Sequence, residues 1–266
     1  MSALHLIRLP IDLPALSRWA AERQYGWIVQ KGPDGRERTA GFDKGRALHH
    51  LLAETFGKAV LQPFLLITPA EQSAQLYAYS RKDAVALRDI AGACALPEVL
   101  DVCVLDRLAT KPMPGEWKAG RRLGFEVRVR PISRLKVPLP RPGETPFPKG
   151  AEVDVFVLEA GRRFPDGSKA EETMLTQGRN REAVYTDWLA ERLAGAATLA
   201  PDVTLSHFAR NRVSRRNSAS EGPDATLQGD MVIDDPALFL ALLEKGVGRH
   251  RAYGYGMMLL RPARGV

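Results

Sequence analysis

Hydrophobic residues recur along this chain with two periods, every second residue in some stretches and every third or fourth in others. In residues 121–137 apolar side chains alternate with charged ones, which predicts a strand with one buried face. Residues 43–57 instead repeat leucines at helical spacing, between an aspartate suited to the N-cap and a terminal glycine. The chain therefore predicts a mixture of strands and helices.

The same two periods divide the rest of the chain into elements bounded by proline and glycine. The predicted strands are 4–13, 63–68, 74–80, 99–109, 121–137, 151–160, 226–235 and 255–263. The predicted helices are a short one within 13–30, then 43–57, 81–95, 181–197 and 236–248. Between them, 31–41 predicts a charged, turn-rich loop and 203–216 a basic hairpin arm.

Each half of the chain shows a βαββαβ-like order of elements, the split βαβ pattern of α+β domains. The stretch 139–150 holds four prolines among glycines and is the best candidate for a linker. We therefore expect an N-terminal domain over 1–138, a Pro-rich linker over 139–150 and a C-terminal domain over 151–266.

The charge of the chain narrows the class of partner. It has 38 Lys and Arg residues against 31 Asp and Glu, a formal net charge of +7 and a pI near 9.6. Such a balance favours an anionic partner. Four arginines cluster in 207–217 without an acidic residue, which favours a nucleic-acid surface over a solvated basic loop.

Other classes of protein fit the sequence poorly. It contains no long uncharged apolar run and no secretory signal pattern, so we expect a soluble cytoplasmic protein that binds no membrane. Cys94 and Cys103 lack the spacing of a zinc site or a disulfide framework, so we expect two buried free thiols.

A glycine-rich stretch near the C-terminus, residues 246–263, raises the question of what approaches its backbone. Gly246, Gly248, Gly254 and Gly256 are interleaved with basic and aromatic residues. Glycine costs conformational entropy in a regular element, so four within eleven residues indicate tight turns or a large molecule close to the backbone. The interleaved side chains favour a charged ligand with flat faces.

Four stretches are similar, in the right order, to motifs of the CRISPR repeat-RNA endoribonucleases of the RAMP superfamily, particularly the CasE (Cse-type) branch. They are ALHHLLAETFG (47–57), RLGFEVRVRPISRLK (122–136), YTDWLAERLA (185–194) and DDPALFLALLEKGVGRHRAYGYGMMLL (234–260). The last is the most specific. The long segment 14–41, an arginine at position 46 where the family often has tyrosine, and the large basic region 207–217 fit a divergent branch, similar to the processing nuclease of type IV systems.

The resemblance implies an α+β fold of two tandem ferredoxin-like (RRM-like) domains, with an arginine-rich insertion in the second. It implies cleavage of precursor CRISPR RNA at the repeat hairpin by the 2′-hydroxyl, giving a 2′,3′-cyclic phosphate and a 5′-hydroxyl. RNA carries this nucleophile itself and the sequence has no metal-site motif, so we expect neither a metal ion nor another cofactor. The expected partners are the CRISPR repeat hairpin (crRNA) and other effector-complex subunits, with the free protein a monomer.

His49 occupies the position of the family's catalytic histidine. Its imidazole titrates near neutral pH, as a general base or acid requires, and His50 is the alternative because the tandem pair leaves the register open. Tyr25 is the candidate for orienting the 2′-hydroxyl or stacking on a base. The candidates for stabilising charge on the phosphorane are Arg23, Arg38 and Arg46.

The remaining candidates bind RNA. Arginines on or after the strand at 121–137 and in the basic arm would contact the A-form backbone, and the glycine-rich stretch would contact phosphates. These residues are Arg128, Arg130, Arg134, Arg210, Arg212, Arg215, Arg216, Gly246, Gly248, Arg249, His250 and Arg251.

Two other functions stay open at this point. One is a non-catalytic subunit that binds an RNA hairpin, an alternative favoured by the arginine at position 46. A ferredoxin-like metabolic or regulatory protein that binds a small anion is the third, and the arginine cluster argues against it.

Overall fold

The structure, a computed structural model, describes residues 3–31, 37–70, 73–141, 143–166, 170–215 and 218–264, with the backbone alone for 28–31, 37–40, 70, 73, 170–171, 212–215 and 218–220. The strands are β1 His5–Asp12, β2 Trp27–Lys31, β3 Glu37–Phe42, β4 Phe64–Ala70, β5 Ser73–Ser80, β6 Ala109–Pro112, β7 Arg122–Val129, β8 Ile132–Arg134, β9 Glu152–Asp154, β10 Ala197–Leu199, β11 Thr204–Arg215, β12 Ser218–Ile233 and β13 Met258–Arg261. The helices are α1 Leu13–Glu22, α2 Lys44–Phe56, α3 Ala84–Cys94, α4 Pro97–Leu100, α5 Val155–Arg163, α6 Ala170–Thr176, α7 Arg181–Leu193 and α8 Pro236–Lys245, with 3₁₀ turns at Leu105–Arg107 and Arg251–Tyr253.

These elements form two compact units. The first comprises residues 1–117, 212–220 and 240–257, and the second comprises residues 118–211, 221–239 and 258–266. In the described ranges no helix has the length and apolar character needed to cross a membrane.

The first unit is built on an antiparallel sheet of order β4-β5-β1-β6. Alternate residues of β1, namely Ile7, Leu9 and Ile11, are buried and join one core with the leucines of α2. Apart from α1, β2 and β3, which come before α2, and α4 and a 3₁₀ turn, which come before β6, the order along the chain is β1, α2, β4, β5, α3 and β6. This is the predicted βαββαβ order.

The second unit is built on a sheet of order β10-β12-β7-β13, with β11 paired to β12. The predicted alternation of β7 is confirmed, because Phe125, Val127 and Val129 are all fully buried. Two strand–helix–strand halves of this kind confirm the predicted α+β fold of two ferredoxin-like domains. The β11–β12 pair also confirms the hairpin predicted at 203–216.

The division of the chain differs from the predicted boundaries. Strand β7 hydrogen-bonds to β12 and β13, so it belongs to the second sheet although it lies within the predicted domain 1–138. The Pro-rich stretch 139–150 also lies inside the second unit, where Leu139 and Phe147 exchange backbone hydrogen bonds of 3.0 Å and pack against a small core of Leu135, Val153 and Leu158. Long-range strand pairing, rather than proline content, sets the boundary.

Several predicted elements are wrong for identifiable reasons. The predicted strand 151–160 is mostly helix α5, because the Asp154 carboxylate caps it by accepting the Phe156 N–H at 2.9 Å. The predicted strand 99–109 instead holds the end of the helical turn Pro97–Leu100 and the 3₁₀ turn Leu105–Arg107; Val99, and Val102 and Cys103 between the two turns, are buried at helical spacing.

In the stretch 31–41, predicted as a loop, the described residues 31 and 37–41 are strand, since β2 pairs antiparallel with β3. The two cysteines also differ from each other. Cys103 is a buried free thiol as predicted, whereas Cys94 is free but exposed.

In the first unit, a close backbone contact joins the start of α2 to the glycine-rich stretch. A Cβ atom at Gly45 would lie 2.3 Å from the Tyr253 carbonyl oxygen, so the contact is possible only because residue 45 has no side chain. Asp43 fixes the same turn, with its Oδ1 accepting the Arg46 N–H at 2.9 Å. The 3₁₀ turn that ends at Tyr253 is thereby held against the first turn of α2.

We expect Gly45→Ala to destabilise the protein by about 1–3 kcal/mol, because the new methyl group forces the two backbones apart. Gly92→Ala is the matched control: it also lies in a helix, but its Cβ would meet nothing within 4 Å. Alanine at that site should raise stability by about 0.5–1 kcal/mol. Urea unfolding measures the free energy of unfolding of both variants. Equal stabilisation by the two substitutions would show that the contact does not hold the turn.

Candidate active site

Helix α2 presents its two histidines on the side away from the core. Leu48, Leu51 and Leu52 are buried at helical spacing, whereas His49 and His50 are only half-buried. Desolvation by burial lowers the pKa of His49 below its ordinary value. The imidazole is therefore neutral at neutral pH.

Three side chains surround His49. Its Nδ1 lies 3.4 Å from the Gln62 amide nitrogen. The Tyr253 ring is tilted against it with centroids 5.1 Å apart, and the His50 ring meets it edge-on at 5.2 Å. His49 is thus held by three elements of the first unit: its own helix, the segment before β4 and the glycine-rich stretch.

His50 occupies a different environment from His49. Its ring stacks on Tyr25, with centroids 4.0 Å apart and an interplanar angle of 10°. Burial is the largest cause that lowers the pKa of His50, followed by the charges of His49 and Arg46. Tyr25 also packs on Trp19 at 5.6 Å, so the described contacts of Tyr25 connect it to His50 and the core rather than to His49.

The backbone of the glycine-rich stretch folds back on itself. The Val247 N–H donates to the Gly256 carbonyl at 2.8 Å, and Gly256, with φ of +80°, leaves no room for a Cβ, which would lie 2.2 Å from the Val247 carbonyl oxygen. The expectation for Gly246 changes accordingly, because its Cβ would meet Pro63 at 2.5 Å. These glycines are needed for the internal packing of the stretch, whatever else approaches it.

Beside His49 lies an open cavity of about 610 Å³. Its lining residues are Ala59, Gln62, Pro63, Glu244, Lys245, Gly248, Arg249, His250, Arg251, Ala252 and Tyr253. Two of them, Gln62 and Tyr253, are the ones that contact His49. The sequence-predicted group of Gly248, Arg249, His250 and Arg251 is therefore brought together with the predicted catalytic histidine.

The charges that line the cavity are organised by hydrogen bonds. Glu244 accepts two hydrogen bonds from Arg81, at 2.9 and 2.8 Å, and these lower the pKa of its carboxyl group. Arg251 donates to the Lys245 carbonyl at 2.6 Å, at the C-terminal end of α8, where a cation is favourable. Arg81 thus compensates the lining carboxylate, and the cavity keeps a cationic character.

The other predicted catalytic residues differ in their distance from the two histidines of α2. Arg46 lies on α2 close enough to His50 to affect its pKa. Arg23 is about a quarter exposed, lies over the Trp19 ring at 5.2 Å and faces Glu54 at 3.8 Å, so its described contacts do not include His49. Arg38 is in β3, paired with Gln30, and its side chain lies outside the described part.

The predicted RNA-binding arginines outside the glycine-rich stretch are partly engaged within the fold. Arg128 donates two hydrogen bonds to the buried Asp224, and Arg130 is only 3% exposed. Arg134 is exposed and donates to the Gly150 carbonyl, and Arg210 is half-exposed beside Glu221. Arg216 lies outside the described residues, as do the side chains of Arg212 and Arg215.

Sequence reasoning missed Gln62 and Tyr253 as neighbours of His49. Tyr253 lies within the glycine-rich stretch, whose pattern indicates contact with a ligand rather than with α2. Gln62 belongs to no motif, and the fold alone reveals it.

Comparison with known proteins places the chain among known folds. It is similar to Cse3 of Thermus thermophilus bound to an RNA representing a pre-cleavage complex, with 19% identity, a TM-score of 0.59 and coverage of 98% of this chain and 100% of that chain. It is also similar to Cas6e of Escherichia coli str. K-12, with 19% identity, a TM-score of 0.57 and coverage of 97% and 99%. At such identities the likeness establishes the fold.

The family is established by a comparison of the sequence. No curated protein sequence matches the chain. The family model described as CRISPR associated protein, however, matches residues 4–262, from just before β1 to just after β13. The chain therefore belongs to this family of CRISPR associated proteins.

Proposed function

We propose that the chain is a metal-independent endoribonuclease that cleaves precursor CRISPR RNA at the repeat hairpin and stays bound to the guide RNA. The observation that carries the proposal is the half-buried His49, held by Gln62 and Tyr253 next to a cavity lined by cationic side chains. A proton-transfer group beside cations is what cleavage of a phosphodiester by its own 2′-hydroxyl requires.

The reaction follows from the chemistry of RNA. His49 takes the 2′-hydroxyl proton or gives one to the leaving 5′-oxygen, and its lowered pKa keeps it neutral and able to accept a proton at pH 7. The 2′-oxygen attacks phosphorus in line as the 5′-oxygen leaves. The products are a 2′,3′-cyclic phosphate and a 5′-hydroxyl.

Cations stabilise the charge that develops on the phosphorane oxygens. Lys245, Arg249 and Arg251 line the cavity and are suited to this role. Arg46 is suited to it from α2. Arg23, Arg38, Tyr25 and the RNA-binding arginines outside the glycine-rich stretch stay predictions; Arg23 faces Glu54, and Tyr25 stacks on His50.

The fold relatives support the same substrate and partners. One is described as the CRISPR endoribonuclease Cse3 bound to 19 nt RNA, with 18% identity to this chain and a TM-score of 0.59. We propose that this chain likewise binds a repeat hairpin, acts in the cytoplasm and joins the other subunits of an effector complex.

A non-catalytic RNA-binding subunit is the second candidate. Arg46 stands where the family resemblance of the sequence implies a tyrosine, and a binding surface needs cations but no proton-transfer group. The experiments below separate the two functions because they measure binding and cleavage independently.

Wild-type protein is expected to cleave a labelled repeat hairpin in EDTA, and a 2′-deoxy substitution at the mapped cut site is expected to abolish cleavage without weakening binding. The reason is that the nucleophile belongs to the substrate. Product analysis should show a 2′,3′-cyclic phosphate. Cleavage that EDTA stops and Mg²⁺ restores would contradict metal independence, and tight binding without any cleavage would establish the second candidate.

His49→Ala is expected to slow cleavage by about 10²–10⁴-fold while the Kd for the hairpin changes little, because the variant removes proton transfer and no phosphate contact. Single-turnover rates and filter binding measure the two effects. His5→Gln, at the start of β1, is the control. Normal cleavage by His49→Ala together with loss of cleavage in Arg23→Ala/Arg38→Ala would move the active site to the N-terminal arginines.

Arg249→Ala is expected to weaken hairpin binding and to reduce the slope of log Kd against log salt by about one, because one phosphate contact is lost. Titrations at several salt concentrations measure the slope. Arg18→Ala, which removes an exposed arginine of α1, is the matched control. An unchanged slope for Arg249→Ala would show that RNA does not enter this cavity.

A further inference from the structure

Gln62 is fixed between His49 and the cavity. Its amide nitrogen lies 3.4 Å from His49 Nδ1, and the residue also lines the cavity. The next residue, Pro63, is buried and packs so closely on Gly246 that a Cβ at residue 246 would lie 2.5 Å from the Pro63 Cγ. The backbone of Gln62 is therefore anchored by the glycine-rich stretch.

The chemistry of His49 determines which atom of the amide must face Nδ1. A base needs a free lone pair on Nε2, and an acid needs both ring nitrogens protonated, so Nδ1 carries a proton in either role. That N–H requires an acceptor, which is the Gln62 carbonyl oxygen. Rotating the amide by 180° exchanges its oxygen and nitrogen without moving any other atom. The separation of 3.4 Å, long for a hydrogen bond, leaves room for the rotation.

We propose that Gln62 is a positioning residue whose carbonyl oxygen accepts the Nδ1 proton of His49, so that Nε2 exchanges the reacting proton with RNA. If the Gln62 NH₂ group faces His49 instead, Nδ1 accepts its hydrogen bond and Nε2 carries the ring proton. This neutral imidazole has no free lone pair on Nε2 and cannot act as the base. An amide holds the ring without adding a negative charge, whereas a carboxylate would favour imidazolium.

The groups that face His49 are consistent with an uncharged partner. His50 and Arg46 lie on the same helix as His49, and Tyr253 packs on His49 from the 3₁₀ turn. The ring centroids of His250 and Tyr253 are 6.3 Å apart. The cavity adds Lys245, Arg249, Arg251 and the Arg81-bound Glu244. Cations dominate this set, and burial keeps the ring neutral until a proton is transferred.

The test uses the full-length protein with ¹⁵N-labelled histidine, and His49→Ala identifies the His49 signals. In wild type we expect the tautomer protonated at Nδ1. Gln62→Leu should lose that preference. Gln62→Glu should keep it, because the carboxylate still accepts a hydrogen bond, and should raise the pKa of His49 by about one unit or more. Gln177→Glu adds the same charge at an exposed turn of the second unit and should change neither property.

Cleavage provides the second readout, and this part rests on the proposed function. Gln62→Leu should cleave at least about tenfold more slowly with unchanged hairpin affinity. For Gln62→Glu, with His49 as the base, the cleavage rate should fall at pH 7 and recover at higher pH, because the raised pKa moves the deprotonation of His49 to higher pH. A wild-type tautomer protonated at Nε2, or a tautomer and rate unchanged in Gln62→Leu, would overturn the proposal. If no protein cleaves RNA but the NMR results hold, the nuclease function fails while the role of Gln62 in holding His49 stands.

Discussion

The candidate site depends on one steric constraint, the direct contact between the backbone at Gly45 and the Tyr253 carbonyl oxygen. Any other amino acid at position 45 would have a Cβ atom, which would lie 2.3 Å from that oxygen. The contact joins residues about two hundred positions apart and brings the Tyr253 ring to within 5.1 Å of His49, one turn further along α2. Without it, the helix and the glycine-rich stretch would each be present but would not form a shared site.

Under the proposed function, RNA cleavage is divided between two environments, a sheltered histidine and a cationic cavity. Burial lowers the pKa of His49 and so favours the neutral ring that accepts a proton. The arginines line the open cavity, and their charge is not cancelled by Glu244 because Arg81 compensates that carboxylate. The fold separates these roles by placing the histidine on the helix and the cations on the loop that packs against it.

The sequence predicted the elements whose pattern is local and failed where distant contacts decide. The alternation of β7 and the leucine spacing of α2 record burial on one face, and both elements form as predicted. The strand predicted at 151–160 became α5 because the buried Asp154, which also accepts hydrogen bonds from Arg181 and Tyr185, caps a helix there. In the site, motif similarity was sufficient to indicate His49 and the basic loop, whereas Gln62 and Tyr253 required the fold, since neither spacing nor composition relates them to α2.

The four glycines acquire a different meaning from the one their charged neighbours first indicated. Gly246 and Gly256 are explained by packing against Pro63 and the Val247 carbonyl, within the protein itself. Tight internal packing fixes the loop before any ligand arrives, and Arg251 is already tied to the Lys245 carbonyl. Charges held in place in advance stabilise a transition state better than charges that must reorganise, because the reorganisation cost is met during folding. Gly246 and Gly256 therefore make rigid the backbone that carries Arg249 and places Tyr253 on His49, and under the proposed function they would contribute to RNA recognition indirectly.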